Sequence, residues 1–322
     1  MKNGIAVAGS LLVDKIYGID AYPSVGELTK IKSCDMSVGG CVPNVSIDIK
    51  RIANDIPVFA IGKTGSDGEA KYLTEELKKY EIDTKNIKST EDKTSFTDVM
   101  SIEGDQRTFF TYPGASAHFG ALDIDLDALN AKMLHLGYFL LLDKIDNGDG
   151  VIILKKALER GISTSIDLVS ENSDRYSLVI PALKYTDNLI INELEAGMLT
   201  GMKPTNGNLR AIAESLKGYG VRERVIIHKP DLSVCLSPRG FTALPSYELP
   251  NGYIKGSTGA GDAFCAGALV KIYRGASDLE ILEFASSAAV TALSEKDATS
   301  GVLSEAETVD LCKKFKRSNL CL

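Results

Sequence analysis

No stretch of this chain reaches the roughly 18 consecutive apolar residues that a membrane-spanning helix requires, which argues against a membrane role. The N-terminus runs MKNGIAVAGSLLVD straight into a strand-like apolar run. It shows neither a signal-peptide apolar region nor a cleavage pattern, so the expected compartment is the cytoplasm. The six cysteines (Cys34, Cys41, Cys235, Cys265, Cys312, Cys321) contain no CxxC pairing and read as reduced thiols rather than zinc ligands. With only three histidines, and no HExxH or GxSxG, neither a zinc hydrolase nor a serine hydrolase is supported. His118, His135 and His228 are therefore read as structural. The GxGxxG of nicotinamide- and flavin-binding folds is missing after the first strand. Gly62-Lys63-Thr64 mimics the end of a P-loop, but the glycine needed five residues earlier is Pro57. Positive charge is also short: the formal net charge is -7, and one small basic cluster (Lys313, Lys314, Lys316, Arg317) closes the chain, which excludes a nucleic-acid partner.

What is present is an ordinary globular composition, 44% hydrophobic and 25% charged over 322 residues. Apolar runs at Ile5–Ala8, 58–61, 133–136, 163–167, 189–191 and 225–228 alternate with amphipathic stretches at 45–54, 69–80, 150–160, 209–217 and 279–293. Such alternation predicts βαβ units, hence an α/β fold with a mainly parallel central sheet covered by helices on both faces. Two segments, 15–36 and 94–112, lack helical period and carry β-branched and aromatic residues, with Gly104-Asp105 as a turn between strands. They predict a small antiparallel accessory sheet, a lid inserted into a single domain that spans 1–322.

Three strand-to-helix junctions carry the chemistry. Gly256-Ser257-Thr258-Gly259-Ala260-Gly261-Asp262 leads into a helix of small apolar residues, and such a loop directs backbone N–H groups and a helix dipole at an anion. On spacing alone, Asp262 would serve equally as a helix cap. Val38-Gly39-Gly40-Cys41-Val42-Pro43-Asn44 reads as a glycine turn with Asn44 capping the next helix or facing a ligand. Asn192-Glu193-Leu194-Glu195 places Asn192 and Glu195 on one face of a helix start, where they either cap it or orient water around Mg2+.

Together, and in this order, these segments resemble the signatures of the ribokinase-like (PfkB) family of carbohydrate and nucleoside kinases, over nearly the whole chain. The resemblance implies a ribokinase-like fold with a β-sheet lid. It implies ATP-dependent phosphorylation of a sugar hydroxyl, with Asp262 as catalytic base and the amides of Gly259, Ala260 and Gly261 as anion hole. It assigns Asp14, Gly39, Gly40 and Asn44 to the substrate, Thr258, Gly259 and Gly261 to the nucleotide, and Asn192 with Glu195 to Mg2+ through water. It also suggests a homodimer through the lid. Asp167 is a weaker candidate for the phosphate or metal network, and Arg107–Ala115 resembles a lid strand with its following turn.

The chain departs from the family in three places. Gly256-Ser257 replaces an Asp-Thr, which puts a monovalent cation in doubt. His228-Lys229-Pro230 stands where a TLGxxG-like turn is usual, and Cys41 and Pro43 replace the Lys and Ala of ribokinases proper, so ribose itself is disfavoured. A nucleoside kinase, favoured by the lid aromatics Phe96, Phe109, Phe110 and Tyr112, is the alternative within the family. A noncatalytic sugar- or nucleotide-binding sensor is the alternative outside it.

Overall fold

The structure is a computed structural model that describes residues 2–102 and 107–319. Gly104 and Asp105, read above as a turn, lie outside the described residues, as does Cys321. Nine strands form the main sheet: β1 (Ile5–Ala8), β4 (Val58–Thr64), β5 (Asp83–Ser89), β8 (Met133–Phe139), β9 (Ser163–Leu168), β10 (Asn188–Asn192), β11 (Arg224–His228), β12 (Leu232–Ser237) and β13 (Gly240–Pro245). Their order is β13-β12-β11-β10-β9-β8-β1-β4-β5, parallel from β5 through β11 and antiparallel in the terminal hairpin.

The helices are α1 (Cys41–Ile52), α2 (Gly68–Lys79), α3 (Gly114–Ala117), α4 (Gly150–Glu159), α5 (Ile180–Leu183), α6 (Glu193–Thr200), α7 (Leu209–Gly218), α8 (Ala260–Tyr273), α9 (Asp278–Ala292) and α10 (Glu305–Cys312). The expected fold class is the one observed. Two apolar clusters line the two faces of the sheet. One joins β1 and β4 to α1, α8 and α9, and the other joins β8 to β11 with α4 and α7. Side chains of a strand alternate between faces, which is why Ile5 and Val7 fall in the first cluster and Ala6 and Ala8 in the second.

From Ala263 to Val270 helix α8 is apolar or glycine on every side, as a helical segment buried all round must be. Small residues let it sit close to α9: a Cβ at Gly267 would come within 3.0 Å of the Ala285 Cα. The strand β5, DTKNIKS, carries no apolar run because it is an edge, and Lys85 and Lys88 there discourage pairing with another chain.

A separate four-stranded sheet has the order β3-β2-β6-β7, from β2 (Leu12–Ile19), β3 (Ile31–Gly39), β6 (Ser95–Ile102) and β7 (Arg107–Tyr112). Its two outer ladders are antiparallel and its central ladder, β2 with β6, is parallel. The parallel pair arises because β2 continues from β1 and β6 follows β5, and β1 and β5 run the same way in the main sheet. The strands also begin earlier than the sequence pattern indicates, at Leu12, and reach Gly39.

Candidate active site

Gly259 fixes the start of α8. It adopts φ +79, and a Cβ there would overlap the backbone of Ala298, so any other residue would be both strained and displaced. The turn makes Gly259 the N-cap and places Asp262 at the third helical position, not at the cap. The amides of Gly261 and Asp262 belong to the first turn, where the helix supplies no acceptor. The amide of Ala260 donates to the Ser257 carbonyl at 3.3 Å.

The carboxyl of Asp262 is 7% exposed. Asn44 Nδ2 donates to its Oδ2 at 2.9 Å, and the Tyr138 hydroxyl lies 3.0 Å from both Oδ1 and Oδ2. Burial pushes the Asp262 pKa up to about 7, with Asp167 and Asp14 adding to the rise and the Asn44 and Tyr138 hydrogen bonds opposing it. A carboxyl that gains and loses a proton near neutrality is suited to general-base work.

Asn44 does not cap α1. The N-cap is Gly40 at φ +86, and the first amides are taken by Ser10: its Oγ accepts from Cys41 N at 3.1 Å and its carbonyl from Val42 N at 3.1 Å. Asn44 lies one turn into the helix and is free to reach across to α8. Gly39 ends β3 beside Asp14: a Cβ at Gly39 would meet the Asp14 carboxylate at 2.6 Å. Asp14 is held up at about 6 by burial, which Arg107 partly offsets. Arg107, on β7 of the small sheet, donates from Nη1 to Thr258 Oγ1 at 3.1 Å and so ties that sheet to the glycine turn.

Asp262 opens onto a cavity of about 200 Å³ that is also lined by Tyr138, Asp167, Asn192, Glu195, His228, Gly259 and Gly261. Asn192 and Glu195 form a capping box: Asn192 Oδ1 accepts from Glu195 N at 2.9 Å, and Glu195 Oε2 accepts from Asn192 N at 3.0 Å. Both readings of this pair are compatible with its position, because the box also faces the cavity. Glu195 is 4% exposed and burial raises its pKa to about 7, with no cation among its hydrogen-bond partners Ser170 and Asn192. A buried oxygen donor set lacking positive charge fits a hard divalent cation such as Mg2+.

Of three further cavity residues, Tyr138 and His228 were not legible as site residues and Asp167 was read only as a weaker candidate. Tyr138 sits at the end of β8 with φ +59, a conformation costing about 1–3 kcal/mol for a bulky side chain, and its amide donates to Asp167 Oδ1 at 2.6 Å. Asp167 comes from the end of β9, the strand beside β8. His228 was read as structural, yet it lines the cavity, stacked on Phe264 with ring centroids 4.6 Å apart. Loss of water pushes its imidazole down to about 4, so it is neutral near pH 7. The one signal available for all three was position, since each lies at the C-terminal end of a parallel strand, where open α/β sheets bind their ligands.

A glycine turn at a helix N-terminus, a near-neutral carboxyl at its third position and a flanking small sheet define a phosphotransferase-type α/β protein. Its sequence matches the pfkB family carbohydrate kinase over residues 3–305, and the chain belongs to that family. It is thus a carbohydrate kinase, a phosphotransferase with an alcohol group as acceptor. Ribokinase of Staphylococcus aureus (strain COL) is 28% identical over 216 residues, covering 64% of this chain and 66% of that enzyme, just under two thirds of its length. Ribokinase of Schizosaccharomyces pombe is 26% identical over 313 residues, 92% of this chain and 94% of that enzyme. The fold is similar to that of Arabidopsis thaliana ribokinase complexed with ribose and ATP, with TM-score 0.83, 22% identity and coverage of 97% and 99%. No helix among the described residues is long and apolar enough to cross a membrane.

Proposed function

We propose that the whole chain acts as one kinase domain that transfers the γ-phosphoryl group of ATP to a hydroxyl of a sugar, with the small sheet closing as a lid. Asp262 accepts the proton of the attacking hydroxyl; that oxygen bonds to the γ-phosphorus as the bond to the ADP oxygen breaks. The observation that carries this reading is the Asp262 carboxyl, held by Asn44 and Tyr138 with a pKa near 7 at the first turn of α8.

The amides of Gly259, Ala260 and Gly261 receive the charge that develops on the transferred group. Ala260 exchanges its long bond to Ser257 for a shorter one to phosphate. Thr258, Gly259 and Gly261 hold the nucleotide phosphates, and Asp14, Gly39, Gly40 and Asn44 bind the sugar. Asn192 and Glu195 would hold Mg2+ through water, and the ion would neutralise phosphate charge there. Asp14 comes from β2 and Asn44 from α1; Asn44 holds Asp262 and the Asp14 charge acts on it, which would orient a hydroxyl toward the base.

The test is ADP release from Mg·ATP over pentoses, hexoses, keto-deoxy acids, inositols and nucleosides, with the Asp262→Asn variant alongside. Nucleosides belong on the panel because Phe96 and Tyr112 form an aromatic pair at 5.4 Å within the lid. The variant is expected to lose about 10²–10⁴-fold in kcat while binding the sugar with unchanged affinity. Turnover by Asp262→Asn at the wild-type rate overturns the base assignment, and saturable binding without ADP release on any compound replaces the kinase reading with a sensor.

A further inference from the structure

Beneath the cavity floor, four side chains from four different elements converge: Cys41 at the start of α1, His135 in β8, Asp167 at the end of β9 and Cys265 in α8. Cys41 and His135 are 0% exposed, Cys265 2% and Asp167 8%. One ligand atom each from Cys41, His135 and Asp167 falls within 4.8 Å of the others. Cys265 stands just outside this set and touches it through His135, its Sγ 3.7 Å from His135 Nε2. Gly137 makes the convergence possible. It lies two residues beyond His135 on the same face of β8; a Cβ there would overlap the Cys41 sulfur and come within 3.1 Å of Asp167 Oδ1.

Within this group Cys265 Sγ and His135 Nε2 make one long sulfur hydrogen bond at 3.7 Å, whereas the Asp167–His135 pair is too far apart for one. Asp167 Oδ2 stands 3.4 Å from His135 Nε2, beyond the roughly 2.7–3.2 Å of an N–H···O bond. That separation is close to the ligand–ligand edge of a tetrahedral metal site, given metal–nitrogen and metal–oxygen bonds of about 2.0–2.2 Å. The outer contacts are also those of a ligand set. His135 Nδ1 is 3.0 Å from Ser165 Oγ, which leaves Nε2 to face the cluster, and Asp167 Oδ1 is held by the Tyr138 amide at 2.6 Å.

We infer that Cys41, His135, Asp167 and Cys265 form a binding site for a thiophilic divalent cation of the Zn2+ class, separate from the Mg2+ of phosphoryl transfer. Two sulfurs, one imidazole and one carboxylate select a borderline-soft ion and reject Mg2+, which takes oxygen ligands. Closure to tetrahedral geometry draws the Cys41, His135 and Asp167 atoms in from a spread of up to 4.8 Å and brings in Cys265, which lies outside that group. The ion enters through the cavity, since Asp167 and Cys265 line it, and its binding expels the two thiol protons. The site joins the N-terminal turns of α1 and α8, which carry Asn44 and Asp262, to the sheet.

The test is independent of the kinase reading, because it reads the metal. Full-length protein stripped with EDTA is titrated with Co2+ and followed by absorption. One Co2+ per chain with a thiolate-to-metal charge-transfer band is expected, displaced by Zn2+ and unaffected by a large excess of Mg2+. Cys41→Ser and Cys265→Ser should each remove about half of that band, and His135→Gln should weaken Co2+ binding by about tenfold or more. Exposed Cys34 is the control: Cys34→Ser leaves the band unchanged. Should a core variant fail to fold, the wild-type and Cys34→Ser titrations still decide the matter. Absence of the band in wild type, its loss in Cys34→Ser, or its persistence at full strength in both core cysteine variants overturns the site.

Discussion

The hydroxyl of Tyr138 sits 3.0 Å from each oxygen of Asp262 and donates to that carboxylate, from a backbone held at φ +59. A hydrogen bond to the charged form favours it, so Tyr138 restrains a pKa that burial and Asp167 drive upward. A base must be deprotonated to act, so kcat is expected to rise with pH through about 7. Tyr138→Phe removes the restraint and should move this acid limb upward by about one pH unit, with kcat recovering at higher pH. A pH–rate profile checks it; an unmoved limb would mean the hydroxyl does not tune the base.

Arg107 is the residue of β7 that reaches the glycine turn. Arg107→Ala should lower kcat/KM about tenfold by freeing the lid from Thr258, without loss of thermal stability, since the contact is exposed. Steady-state kinetics beside a melting curve separates the two effects.

At position 256 the family's carboxylate is absent, and even a Cβ would press on the neighbouring loop, 3.0 Å from the Glu295 carbonyl and 3.1 Å from the Lys296 Cα. Replacing K+ by a large organic cation should therefore change kcat by less than about twofold. A potassium-activated rate would show that other oxygens have taken over the site.

Gly259→Ala should reduce kcat by far more than it perturbs sugar binding. The new Cβ meets the Ala298 backbone, and φ +79 disfavours any side chain, with strain of about 1–3 kcal/mol. Displacement of the first turn of α8 moves the base and the amides together. Wild-type kcat in this variant would detach the turn from the chemistry.

A purely structural prediction concerns Asp278, 5% exposed at the start of α9. Burial alone would raise its pKa, but the Ser237 hydroxyl at 2.6 Å, Arg224 at 2.9 Å and Arg239 at 3.0 Å outweigh it and hold the carboxyl below its usual value. Its folded pKa is depressed, so this stabilisation is present above the unfolded pKa of about 4 and is lost as pH falls through the folded value. Asp278→Asn should cost about 3 kcal/mol at pH 7, leaving Arg224 short of its partner, and the gap to wild type should narrow in acid. Denaturant unfolding at two pH values measures both.

How much of this was readable from residues alone depended on contiguity. Asp262 with its glycines, and Asn192 with Glu195, are each assembled within a few consecutive residues, so they could be singled out in the sequence, with their roles supplied by the family resemblance. The alternation of apolar runs likewise located the parallel strands, because a strand buried on both faces has no polar alternation to obscure it. Tyr138, Asp167 and His228 carried no local signature; adjacent parallel strands bring them together from positions far apart in sequence. Strands β5 and β13 escaped for the opposite reason, as edges whose exposed positions carry the polar residues of a loop.

Between the end of β3 at Gly39 and the start of α1 at Cys41 there is one residue, Gly40. The small sheet is thereby joined to α1 through a single glycine, and the fourth residue of that helix is Asn44, which donates to Asp262. On the proposed roles, a ligand that displaced β3 would turn this first helical turn and pass the displacement through Asn44 to the proposed base, over a span of five residues.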